Sequence, residues 1–143
     1  VNAVIESPVK LSISRSFDSS PESIFDAWLQ ESWGDWVGSP DKPCVSCEVD
    51  PRVGGMWRIR THTQDGSEVL LTGVYKEINR PSRLVFTFNS RFSGPGDTIV
   101  TLTFKPRGAG TEMTLTHEGF ITQEMRDAHI LGWNRILDRL QAF

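Results

Sequence analysis

Polar and apolar positions alternate from Lys10 to Phe17. Leu11, Ile13, Arg15 and Phe17 fall on one side and Lys10, Ser12, Ser14 and Ser16 on the other, the period of a half-buried strand. At Ser20-Pro21 the period changes: a hydroxyl stands at the helix cap and a proline at the first helical position. Ile24, Phe25, Trp28 and Leu29 then make one helical face. Trp33, Trp36 and Val37 predict a second short helix, stopped at Gly38 before the loop Ser39-Pro40-Asp41-Lys42-Pro43. From Val45 to Phe120 strand-like runs are separated by short turn signals, among them Gly54-Gly55, Asp65-Gly66, Gly94-Pro95-Gly96 and Arg107-Gly108-Ala109-Gly110. Short connections mean antiparallel hairpins, so about six strands form a meander and the first strand joins them elsewhere. The chain closes on a long helix capped at Thr122. Its apolar face carries Met125, His129, Gly132, Trp133, Ile136, Leu137, Leu140 and Phe143.

Inward-facing residues follow from this pattern. A two-residue Asp65-Gly66 loop sets Gln64 opposite Ser67 and pairs Thr61 with Leu70, Ile59 with Thr72, and Trp57 with Val74. That face is read as buried, because the other carries Arg58 and Arg60. Later strands add Leu84, Phe86 and Phe88, then Val100, Leu102 and Phe104, then Met113, Leu115 and His117. A sheet of this length curls. One helix is about 10 Å wide and strands lie about 4.8 Å apart, so the last helix covers two or three of them. The remaining concave surface must meet the N-terminal helices, collapse on itself, or enclose a cavity.

The chain has 143 residues, one domain's worth, read as a single domain over 1–143. Its formal net charge of −3 offers no basic field for nucleic acid. No apolar run spans a bilayer, and residues 1–10 lack the basic start and apolar stretch of a secretion signal, so the expected location is the cytoplasm. The absence of an initiator methionine suggests a trimmed start, which leaves room for a lost leader. Cys44 and Cys47 have no second Cys or His pair to complete a zinc site. Read as one continuous strand they point to opposite faces, too far apart for a disulfide, as two structural thiols. No metal and no cofactor is expected. Monomer and homodimer are both open.

The order of landmarks resembles the START-like, birch-pollen-allergen-like superfamily (SRPBCC), and within it the family named for the activator of the heat-shock-protein-90 ATPase. The landmarks run from Ile13–Phe17 into Ser20–Trp28, then Val53-Gly54-Gly55-Met56-Trp57-Arg58, Gly73–Ile78, Arg83–Thr87, Gly110–Phe120 and Gly132-Trp133. The resemblance covers nearly the whole chain. It implies the helix-grip α+β fold, a seven-stranded curved antiparallel sheet around a long C-terminal helix with two short helices between strands 1 and 2. It also implies an internal apolar cavity.

Three functional readings arise. The first is a module that binds an apolar or aromatic small molecule, lined by Leu11, Ile13, Trp57, Ile59, Val74, Phe86, Leu102, Leu115, Trp133 and Ile136. Arg15 would anchor a ligand carboxylate or else sit in a structural ion pair. His117 and His129 would supply polar contacts or else be satisfied core histidines. The second is a co-chaperone-type interaction domain, although 143 residues leave no room for the co-chaperone's additional N-terminal domain. The third is a cyclase- or hydrolase-like enzyme using Arg15, His117 or His129, which requires two titratable groups at one void. No Gly-x-Ser-x-Gly elbow and no phosphate-cradling loop supports nucleophilic chemistry.

Overall fold

A computed structural model describes residues 9–143; residues 1–8, which held most of the segment inspected for a leader, lie outside the described residues. Strand β1 (Val9–Phe17) leads into helix α1 (Pro21–Asp26), a 3-10 turn (Ala27–Leu29) and helix α2 (Trp33–Val37). Six strands follow: β2 (Ser46–Val49), β3 (Met56–His62), β4 (Glu68–Asn79), β5 (Arg83–Phe88), β6 (Thr98–Arg107) and β7 (Gly110–Phe120). Helix α3 (Gln123–Ala142) ends the chain. The strands form one antiparallel sheet in the order β1-β7-β6-β5-β4-β3-β2, so the meander closes by pairing its last strand with β1. This is the expected seven-stranded helix-grip fold. Both caps form as their residue types require: Ser20 accepts from the Ser23 amide and Thr122 from the Met125 amide.

Helix α3 packs over β1 and β7 and against α2. The rest of the concave face is covered from the N-terminal side by Trp28, Trp33 and Trp36. Trp28 meets Trp36 edge-on at 4.7 Å between ring centroids, and Trp33 reaches Trp57 of β3 at 4.7 Å. Phe86 and Trp133 join the same cluster. Edge-to-face aromatic packing of this kind adds about 0.5–1.5 kcal/mol per pair beyond the area it buries. The Tyr75 hydroxyl donates to the Trp28 carbonyl at 2.8 Å, which fixes the 3-10 turn to β4.

The β3–β4 register corrects the expected one. Thr61 pairs with Val69, Ile59 with Leu71, and Trp57 with Gly73. The loop has three residues, Gln64, Asp65 and Gly66, with Gly66 at φ +88° and the Asp65 carboxylate accepting from the Ser67 amide and hydroxyl. One extra loop residue slips β4 by one position and exchanges its faces. Val69, Gly73 and Tyr75 are buried, while Val74 stands opposite the exposed Met56 on the outer face and is no inner-wall residue. Gly73 is required where it stands: a Cβ there would lie 1.8 Å from the Thr87 carbonyl and 2.4 Å from the Trp57 indole nitrogen.

A second correction concerns the cysteines. Ser46 pairs with Arg60, yet the Val45 amide also donates to the Arg60 carbonyl at 2.7 Å, so two residues oppose one. This bulge breaks the alternation. Cys44 and Cys47 therefore converge on α2: a Cβ built on Gly34 would lie 2.5 Å from the Cys44 Sγ and 3.6 Å from the Cys47 Sγ. Both thiols are free. Burial pushes both up, Cys47 to about 11, which favours the protonated thiols at neutral pH.

Candidate functional site

A solvent-open cleft of about 540 Å³ lies between the α3 face from Ala128 to Arg139, the tip of the β3–β4 hairpin and the loop that follows α2. Its volume is in the range of small-molecule sites. Phe88, Val69 and Leu71 from the sheet and Trp133 and Ile136 from α3 supply an apolar floor. Thr61 stands among them. It is only 4% exposed, and its hydroxyl has no hydrogen-bond partner among the described residues. A buried hydroxyl left without a partner costs about 1–3 kcal/mol.

Gly132 opens this space. It lies inside a 20-residue helix, where glycine costs roughly 1 kcal/mol relative to alanine. A Cβ at this position would meet nothing within 4 Å, so no close approach of the fold demands glycine. Its backbone borders the cleft, and any side chain there would occupy it.

The two histidines differ. His117 is fully buried and both ring nitrogens are engaged. The Trp133 indole donates to Nδ1 at 2.9 Å, so the proton sits on Nε2 and is donated to the Thr98 hydroxyl at 2.8 Å. Thr98 in turn donates to the Phe88 carbonyl. Burial, helped by His129, drives the His117 pKa down to about 2, so the ring is neutral. This chain of bonds fixes the Trp133 ring at the cleft wall. Among the described residues the Trp133 indole nitrogen has an acceptor, and those of Trp28, Trp33, Trp36 and Trp57 have none. His129 borders the cleft and donates from Nδ1 to the Met125 carbonyl at 2.7 Å, which leaves Nε2 as an acceptor. Burial lowers its pKa as well, and it too is favoured neutral.

Of the residues singled out from the sequence, His129, Trp133 and Ile136 come together at the cleft. Leu11, Trp57, Ile59, Phe86, Leu102 and Leu115 lie in the closed core, with Ile13 packed against it, and none of them borders the cleft. Arg15 is an ion-pairing residue: it reaches Asp138 and Asn134 Oδ1 at 2.8 Å each and Gln141 at 3.0 Å, all on α3. It ties β1 to helix residues that do not border the cleft. Arg15, His117 and His129 therefore do not meet at one void. Among the described residues no group of three or more metal-ligating side chains converges, and no helix is long and apolar enough to cross a membrane.

The sequence reading missed the charged rim. Lys42, Arg135 and Arg139 border the cleft, with Asp41 as the single carboxylate among its lining residues. Arg139 donates to the Trp36 and Val37 carbonyls at the end of α2, at 3.0 and 2.7 Å. On sequence alone these residues belong to a solvated helix face and a polar loop. Only the docking of α2 on α3 shows that they share a cleft.

Comparison with known proteins places this architecture. Protein CV1439 from Chromobacterium violaceum is 26% identical, with a TM-score of 0.82 over 93% of this chain and 94% of that one. Mll3558 from Rhizobium loti is 26% identical, with a TM-score of 0.77 over 95% and 96%. SA2116 from Staphylococcus aureus, described as a protein of unknown function, shares the fold at 19% identity and a TM-score of 0.77 over 93% and 91%. No curated protein matches the chain. The family described as Activator of Hsp90 ATPase homolog 1-like protein matches residues 18–143, and with that coverage the chain belongs to it.

Proposed function

We propose that the protein binds an apolar small molecule in the cleft between α3 and the β3–β4 hairpin. Gly132 carries this reading. A glycine in the middle of a long helix, with open space where its side chain would be, costs helix stability and returns nothing to packing. It does keep the cleft open. The apolar floor supplies the driving force, at about 25 cal/mol per Å² of ligand surface buried. The Thr61 hydroxyl and the His129 Nε2 supply two polar contacts that set orientation.

Titration with the neutral fluorescent probe N-phenyl-1-naphthylamine tests this. The protein should bind it saturably, at one site. Gly132→Leu should keep or raise the melting temperature, because leucine is the better helix former, and should weaken the probe at least about tenfold, since the leucine side chain fills the space. Equal binding by both proteins, or no saturable binding by the parent, would refute the reading.

The family description supports a second reading, contact with the Hsp90 chaperone. A pull-down against purified chaperone, with Gly132→Leu as the comparison, separates the two: a chaperone contact made outside the cleft is indifferent to that substitution.

A further inference from the structure

We infer that the cleft selects an amphipathic anion, a molecule with an apolar body and a carboxylate or similar head group. This rests on the binding role proposed above and names its ligand class. The chain as a whole is negative, at −3, yet the charged side chains at this cleft are three cations against one carboxylate. Arg135 and Arg139 stand one helical turn apart on the same cleft. Like charges at that spacing repel and destabilise a helix. Burial and then Arg135 work against the Arg139 charge, and Asp138 offsets them only in part. Asp138 is the nearest acid on α3, but its carboxylate is turned to Arg15 at 2.8 Å. Arg135 makes no ion pair among the described residues.

The arrangement is polarised. The floor, built on Val69, Leu71, Phe88 and Trp133, is apolar, and the cations stand at the edge with Arg135 exposed to solvent. A ligand with its body on the floor places its head among guanidinium groups. Guanidinium–carboxylate pairs are charge-assisted and geometrically matched. A cationic head would instead meet three like charges, and a neutral head would gain neither.

Three ten-carbon ligands that differ only in the head test this: decanoate, decanol and decylamine, each competed against N-phenyl-1-naphthylamine at low ionic strength. The expected order is decanoate, then decanol, then decylamine, with about tenfold or more between the acid and the amine. Raising the salt to about 0.5 M should shrink that ratio while leaving decanol in place. In Arg135→Glu, whose position is exposed, the ratio of decanoate to decylamine affinity should fall to near one or invert. Equal displacement by all three ligands, or an Arg135→Glu ratio that matches the parent's, overturns the anion selectivity and leaves the apolar binding role standing. Failure of the probe and of all three ligands to bind overturns both.

Discussion

Replacing His117 by leucine, and measuring both proteins at about pH 7.5 and about pH 4.5, isolates the buried imidazole that holds Trp133 at the cleft. In the unfolded chain this group titrates at its ordinary value of 6.5, and in the folded protein burial holds it down to about 2. Between those values the unfolded chain takes up a proton and the native protein does not. Stability is therefore fully present above about pH 6.5 and is lost as the pH falls, by about 1.4 kcal/mol per unit. Two units below 6.5 the loss is about 2.7 kcal/mol, whatever the native value is, provided it lies well below 4.5. At neutral pH the substitution itself costs roughly 1–3 kcal/mol, because it strips an acceptor from the Trp133 indole and a donor from the Thr98 hydroxyl. His129 is present in both proteins, and its own low-pH penalty drops out of the difference. Urea unfolding followed by tryptophan fluorescence gives the numbers. The parent should lead the variant at neutral pH and lose that lead, by about 2.7 kcal/mol, on acidification. A lead that stays constant between the two pH values would refute the assignment of a neutral, doubly bonded His117.

Three further substitutions probe how the elements around the cleft are held together. Gly34→Ala places a methyl 2.5 Å from the Cys44 Sγ and 2.9 Å from the Cys47 Cβ; thermal unfolding should show a loss of about 1–3 kcal/mol, and an unchanged melting temperature would mean that the cysteines do not converge there. Arg15→Ala should destabilise by about 1–2 kcal/mol through the lost bonds to Asn134 and Gln141. Asp138→Ala, whose carboxylate is 69% exposed, should cost less than about 1 kcal/mol. Probe affinity should be unaffected by either, and a binding defect in Arg15→Ala would return that residue to the site.

The strands were legible because their alternation is strong. Leu84, Phe86 and Phe88, and likewise Val100, Leu102 and Phe104, leave one choice of inner face, and all six are buried. Strand β4 was not, because Val69-Leu70-Leu71 is apolar on both parities, so the hydrophobic pattern fits either register. The discriminating signal was Gly73, since Trp57 needs a cross-strand neighbour without a side chain. Nothing in the order of residues announces the bulge at Val45 and Ser46, and with it the convergence of the cysteines. The concave surface was expected to exceed what one helix covers, and in the structure Trp28, Trp33 and Trp36 from the N-terminal segment pack into the same buried core. The cleft opens where Gly132 leaves α3 bare. That place depends on how α2, the loop after it and α3 dock together, which no local pattern encodes.

Intermolecular nuclear Overhauser contacts between isotope-labelled protein and bound N-phenyl-1-naphthylamine test the central claim most directly. The account predicts contacts from the probe to Trp133, Ile136, Val69 and Leu71, and none to Leu102 or Leu115 in the closed core. Contacts to Leu102 and Leu115, or saturable binding with no contact to Trp133, would contradict it.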